Sequence, residues 1–331
     1  MEKASKNVVG IDISKLKFDA CLLAKGRAKP LFAMFANDRS GCEKFFAWLE
    51  HHQAIDAHVC MESTGIYSLA PATFLHSRNI LVSVVNPYPV KAFGKSSMSR
   101  NKTDKADALL IARYCVEKTP RSWSPPSAMA LRLRSLTSRY QDVQDDRIRI
   151  LCRLETMFDE ETRAFWGKRV KAMDADLKEI QDQLHGLCAA ETELARQCKL
   201  LTSIPGIGEM TALMLLAELP DVRTFRNAKQ LAAYAGLTPM HHSSGTSVNK
   251  RPRLSKMGNA AIRRMLYFPA LCARRHNRPL RAFAERLKER GKAKMAVIGA
   301  LMRKLMHCVY GVLTTGLPFD AAKVSGSYQI A

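Results

Sequence analysis

Residues 7–14 read NVVGIDIS, a run of β-branched residues and glycine closed by an acid between two isoleucines. Such a run reads as a central strand. A carboxylate there is costly without a partner, so Asp12 points to a site at the strand's end. Working outward, KFDACLLA (17–24) and PLFAMFA (30–36) read as two further strands, and GCEKFFAWLEHH (41–52) as a helix. AHVCMES (57–63) then reads as a strand, IYSLAPATFLHSR (66–78) as a helix and ILVSVVN (80–86) as a strand.

Three strands, helix, strand, helix, strand is the order of an RNase H-like mixed sheet with flanking helices. TPRSWSPPSA (119–128), with three prolines, ends this part of the chain near Arg121 to Pro126. Glu62 follows the apolar AHVCM, so two strand ends can bring Asp12 and Glu62 together. Asp104 and Asp107 stand i, i+3 at the start of KADALLIARYCVEK and project from one face of a helix's first turn. The helix dipole favours negative charge there. Either acid alone reads as an ordinary helix cap or solvated side chain. Four carboxylates gathered together repel one another and need a cation, and hard oxygen ligands favour Mg²⁺, with Mn²⁺ as a substitute. The four acids together therefore read as a metal-ion site for phosphodiester chemistry. Asp19 reads as a solvent-facing strand residue.

The 331 residues leave room for two domains and a connector, and 47% hydrophobic content permits a sizeable core. Lys and Arg number 52 against 30 Asp and Glu, a formal charge of +22, for which nucleic acid is the default partner. Between Lys250 and Lys304 stand 17 Lys or Arg against only Glu285 and Glu289, so this part is expected to carry much of the phosphate contact. A membrane-surface protein is disfavoured. No uninterrupted apolar span of about 20 residues is read, and MEKASKNVVG lacks a signal-peptide core, which places the protein in the cytoplasm. The nine cysteines show no CxxC and no zinc spacing, and read as reduced, mostly buried thiols. His241 and His242 read as loop residues near a phosphate site, without a metal-pair spacing.

Leu133, Leu136, Tyr140, Val143, Ile150, Leu154 and Met157 follow a 3,4 spacing broken only at Arg147. A second stripe runs through Leu177, Ile180, Leu184, Leu187, Leu194, Cys198 and Leu201, broken at Glu191. Two long helices are expected, forming a hairpin or coiled coil that reaches away from the first domain. Bundle packing and a dimerisation arm are equally compatible with the pattern. In SIPGIGEMTALMLLAEL (203–219), Gly206 and Gly208 suggest a helix-hairpin-helix turn whose exposed N–H groups suit a phosphate; a plain turn is the competing reading.

The motifs GIDIS (10–14), MESTG (61–65), NKTDKADA (101–108), SIPGIGEMTA (203–212), AGLTP (235–239), SSGTS (243–247) and SKMGNAAIRRMLY (255–267) span nearly the whole chain. In this order the sequence resembles the DEDD-type insertion-sequence transposases, bridge-RNA-guided serine recombinases with a RuvC-like domain. The resemblance implies that a RuvC-like RNase H domain supplies Asp12, Glu62, Asp104 and Asp107 as catalytic acids and metal ligands. A mostly helical carboxy-terminal transposase domain would supply a serine nucleophile. The family serine precedes a glycine and falls on Ser244, with Ser243 as the adjacent alternative.

The resemblance further implies a phosphoserine intermediate and a structured noncoding guide RNA that pairs with donor and target double-stranded DNA. It also implies a tetramer, a dimer of dimers, with acids and serine from different subunits, acting on the bacterial nucleoid. The expected division is 1–120 for the RuvC-like domain, 121–200 for the linker and coiled coil, 201–318 for the transposase domain and 319–331 for a tail. Gly206, Gly208, Lys250, Arg251, Arg253, Lys256, Arg263 and Arg264 are the expected nucleic-acid contacts. Two rival readings remain: a metal-dependent Holliday-junction-resolvase-type nuclease that uses water and ignores Ser244, and a non-catalytic RNA- or DNA-binding protein.

Overall fold

The computed structural model describes residues 6–63, 65–96, 103–219, 221–244 and 248–326. The chain divides into two compact units, Met1–Pro126 and Ser127–Ala331. The first unit runs β1 (Val8–Ile13), β2 (Lys17–Leu23), β3 (Leu31–Ala36), α1 (Arg39–His51), β4 (His58–Glu62), α2 (Leu69–Ser77), β5 (Leu81–Val85), α3 (Pro87–Ser96) and α4 (Asp104–Lys118). Its five strands are ordered β3-β2-β1-β4-β5; β1, β2 and β3 are antiparallel neighbours, while β4 and β5 run parallel to β1. This mixed sheet with flanking helices is compatible with the RNase H-like arrangement expected from the strand order.

Strand alternation divides the sheet's two faces. Val9, Ile11 and Ile13 join Phe18, Phe45, Leu49 and Met61 in one apolar core. Gly10 and Asp12 belong to the other face, against which α4 packs. Small residues make that packing close: Cys21 of β2 meets Ala108 and Ala112 of α4.

The second unit opens with α5 (Ala128–Glu155) and α6 (Glu160–Ala190), followed by α7 (Thr192–Thr202), α8 (Glu209–Glu218), a 3-10 turn (Val222–Thr224) and α9 (Ala228–Tyr234). A two-stranded ribbon, β6 (Pro239–Ser244) and β7 (Val248–Leu254), precedes α10 (Ala260–Met265), α11 (Tyr267–His276), α12 (Arg278–Glu289), α13 (Lys294–Thr315) and α14 (Ala321–Gly326). The long pair α5 and α6 is an antiparallel hairpin, since Arg132 reaches Gln183 while Arg147 pairs with Asp174. The second apolar stripe is not one helix. It breaks at Glu191, whose extended backbone (φ −114°, ψ 97°) separates α6 from α7.

Leu133, Leu136, Ile180 and Leu184 of the hairpin share one core with α7 to α13. The inner part of the hairpin is therefore bundle packing, whereas Ile148, Phe158 and Phe165 farther out are exposed. Helix α13, 22 residues long, passes for a membrane span by length and composition, although Arg303 and Lys304 interrupt its apolar run. Here Val297, Leu301, Leu305, Val309 and Val312 are buried in the core of the unit, which accounts for its composition.

Candidate active site

Gly10 sets how closely α4 approaches the sheet. A Cβ added there would lie 2.2 Å from both the Ala108 carbonyl oxygen and the Ala112 backbone nitrogen. Those atoms belong to a helix backbone and cannot swing aside. Gly10→Val is thus expected to destabilise the protein by about 1–3 kcal/mol or more through overpacking. Urea unfolding followed by tryptophan fluorescence checks this, and an unchanged midpoint would contradict the close approach.

The first turn of α4 carries Asp104 and Asp107, and Thr103 caps it, its Oγ1 accepting from the Ala106 N–H at 3.2 Å. Asp12 is the fifth residue of β1 and Glu62 the last of β4. The parallel register matches Ile11 with Met61, so Asp12 and Glu62 follow at one level. Their electrostatics show that Asp12 and Glu62 feel the charges of neighbouring acids. The Asp12 carboxyl is pushed above its usual value by burial and then by the charges of Asp107, Asp104 and Asp19. The Glu62 carboxyl is also raised, first by burial; Lys91 of α3 opposes the shift, while Asp12 and Asp107 add to it.

Two residues that the sequence reading did not place in the site stand within it. Asp19 lies directly across from Asp12 in the β1–β2 register and is only 8% exposed, not solvent-facing. The reason is that α4 covers the face of β2 that Asp19 shares with Cys21. Lys17, two residues earlier on the same face, donates from Nζ to Asp104 Oδ2 at 2.7 Å and to Asp19 Oδ2 at 3.1 Å. That contact holds the Asp104 carboxyl below its usual range. The i, i+2 spacing of Lys17 and Asp19, in phase with Cys21, was the available signal.

The donor type, oxygen ligands, is the type a hard divalent cation takes. The donors are carboxylate oxygens, two of which resist ionisation first because they are partly buried and then because like charges face them. A bound cation would reverse both penalties. Among the described residues, however, no three His, Cys, Asp or Glu side chains stand close enough to form a metal cluster, and the Lys17 ammonium supplies the counter-charge to Asp104 and Asp19. Asp12, Glu62, Asp104 and Asp107 are the residues that would hold the ion.

In the second unit, Ser244 ends β6 opposite Val248, and Ser243 pairs with Asn249. Gly245, Thr246 and Ser247 lie outside the described residues, as do the side chains of Ser243, Ser244, Lys250 and Arg251. His241 and His242, expected in a loop, are strand residues of β6 beside a register shift between Met240 and His242. The pairing of β6 with β7 makes a strand from a polar stretch that lacks an alternating apolar pattern.

The remaining expected contacts differ in what they touch. Gly206 has φ +110°, and a Cβ there would meet Ala273 Cβ at 2.8 Å and the Pro269 carbonyl oxygen at 2.9 Å, so its glycine serves packing on α11. Gly208 is exposed at the start of α8 with open space around it. Arg263 Nη1 donates to the Ala235 carbonyl at 3.2 Å, and Arg264 pairs with Asp145 of α5 at 2.8 Å. Arg253 and Lys256 are exposed.

Comparison with known proteins gives matches in both units. A DEDD-type transposase profile of the IS110 group matches residues 9–162, and the profile described as transposase IS116/IS110/IS902 family matches 198–285. The pilin gene-inverting protein of Moraxella bovis is 33% identical over 319 residues, 96% of this chain and 98% of that protein. Its counterpart in Moraxella lacunata aligns over the same shares at the same identity. The transposase for insertion sequence element IS1111A of Coxiella burnetii is 28% identical over 248 residues, 66% of each chain.

Proposed function

Because the chain belongs to the IS110 family of DEDD-type insertion-sequence transposases, which recombine DNA, we propose that it cuts and rejoins DNA through a phosphoserine on Ser244, guided by a structured noncoding RNA. The observation that carries the catalytic part is the placement of Asp12 and Glu62 at one level on neighbouring strands, where burial and then the charges of nearby acids, Asp107 of α4 among them, raise both carboxyls. Carboxylates kept in that state at a strand end suit phosphodiester chemistry better than packing. We assign residues 1–120 as the RuvC-like catalytic domain, 121–200 as the connector and 201–318 as the transposase domain that presents Ser244, with 319–331 as the tail.

In this reading the Ser244 hydroxyl attacks a DNA phosphorus. An Oγ–P bond forms, the bond to the leaving deoxyribose oxygen breaks, and the serine proton passes to a base as the leaving oxygen is protonated. A partner strand's hydroxyl later attacks the phosphoserine and regenerates the serine. Bond number is conserved, so no high-energy cofactor is needed. A bound Mg²⁺ or Mn²⁺ would supply Lewis-acid neutralisation of the phosphate charge. Arg253, on β7, and Lys256, just after it, are both exposed and in this reading hold the scissile strand. The guide RNA would select sequence by base pairing while the protein reads backbone and shape. We place the active form as a homotetramer in the bacterial cytoplasm.

The test is to incubate the protein with Mg²⁺, labelled donor and target DNA and the noncoding RNA encoded beside its gene, then resolve the products on a denaturing gel. A protein-linked strand and a recombinant product that both require the RNA are expected. Recombination that proceeds equally without RNA would remove the guide from the mechanism, and cleavage without any protein-linked strand would favour the resolvase-type nuclease.

A further inference from the structure

We propose that the cleft between α11 and α12 is a binding site for the phosphodiester backbone of DNA. The cleft encloses about 300 Å³ and is lined by Arg274, Arg275, Arg281, Ala284, Glu285 and Lys288. Four cations therefore face one carboxylate across a concave surface. Among the described residues none of the four makes an ion pair, so with Glu285 counted the cleft keeps an excess of three positive charges. Cations crowded into a concavity repel one another and focus a positive potential, an arrangement that a polyanion relieves.

The local fold holds this arrangement in place. Asn277, 1% exposed, turns the chain between the two helices: its side chain accepts from the Leu280 N–H at 3.3 Å and donates to the Pro205 carbonyl at 3.3 Å. Arg281 reaches back across the corner, its Nη2 donating to the Arg275 carbonyl oxygen. Arginine at the end of α11 also complements that helix's dipole, which accounts for Arg274 and Arg275 but not for the two cations on α12. Arg281 and Lys288 are seven residues apart on one face of α12, roughly 10 Å along its axis. That separation exceeds one phosphate and suits successive phosphates of a strand. Because the family acts on DNA, DNA is the polymer assigned. The inference needs neither the serine chemistry nor the guide RNA, and a binding measurement tests it apart from both.

The triple variant Arg274→Gln, Arg275→Gln, Lys288→Gln is compared with Lys168→Gln, Arg169→Gln, Lys171→Gln, which removes the same charge from exposed positions of α6. Fluorescence anisotropy gives the affinity for a labelled DNA duplex across a salt series. Each lost phosphate contact lowers the slope of log affinity against log salt by ~0.9, so the cleft variant is expected to lose ~2–3 in slope and ~10–100-fold in affinity at low salt. The α6 variant should lose less than ~1 in slope. Equal losses in the two variants would reduce the effect to net charge and overturn the proposal, as would a loss confined to a structured RNA measured in parallel. Should the cleft variant fail a circular-dichroism check of folding, phenylglyoxal labelling of the wild-type protein decides. Duplex DNA is expected to slow modification of Arg274 and Arg275, and unslowed modification would sink the assignment.

Discussion

Ser244→Ala protein is expected to form no protein-linked DNA strand and to lose recombination by ~10³-fold or more, the scale on which removal of a covalent nucleophile acts. The hydroxyl is the only part of the side chain the reaction consumes, and its loss leaves the ribbon of β6 and β7 to be held by backbone pairing. Binding of DNA and of guide RNA should therefore be unchanged. Ser243→Ala is the matched control, since Ser243 pairs with Asn249 one step away in the same ribbon. It is expected to keep the adduct. An undiminished adduct in Ser244→Ala, or its disappearance only in Ser243→Ala, would refute Ser244 as the nucleophile. Full strand cleavage in Ser244→Ala without any adduct would move the assignment to a nuclease that uses water.

Asp12→Asn is expected to remove strand cleavage in Mg²⁺ by ~10³-fold while raising the melting temperature of the metal-free protein. The second effect follows from the direction of the carboxyl's shift. Burial and the neighbouring charges of Asp107, Asp104 and Asp19 raise the folded-state pKa of Asp12 above its unfolded value. The folded protein thus holds that proton more tightly, and the resulting stability is present at low pH and lost as pH rises through the folded value. At neutral pH the ionised carboxylate is a net cost, which the isosteric amide removes. Glu62 is raised in the same direction and contributes in the same sense. Mg²⁺ should raise the wild-type melting temperature and do so less in Asp12→Asn. Scanning calorimetry in EDTA and in Mg²⁺ measures both, and an Asp12→Asn protein less stable than wild type in EDTA would contradict the repulsive cluster. Wild-type cleavage by this variant would remove Asp12 from the catalytic site.

Much of the first unit was legible because its signals are local. NVVGIDIS carries β-branched residues on one phase, and Val9, Ile11 and Ile13 do enter the core that Phe18 and Phe45 complete. The i, i+3 spacing of Asp104 and Asp107 at the head of KADALLIARYCVEK states that a helix starts there with both acids in its first turn. Asp19 was misread because nothing in KFDACLL says that a helix eighty residues later will cover that face of the strand. The ribbon of β6 and β7 was missed for a related reason: PMHHSS and VNKRPRL lack alternating apolar residues, and each becomes a strand by pairing with the other. The turn at SIPGIG was legible as a turn, but the use of Gly206 was not, since its reason is the approach of α11 more than sixty residues away.

The sequence by itself determined the order of the five strands with α1, α2 and α4 in the first unit, though not α3, the positions of its acids at strand and helix ends, the charge of +22 and the motifs that mark the family. Periodicity, capping and composition act over a few residues, so one chain read in order suffices for them. Only the tertiary structure decided that Asp19 and Lys17 belong with the four acids, that the inner part of the α5–α6 hairpin shares its core with α7 to α13, and that Arg274, Arg275, Arg281 and Lys288 line one cleft. Each of these rests on which surfaces are buried against which, and burial sets both the cost of a charge and the partner that must answer it.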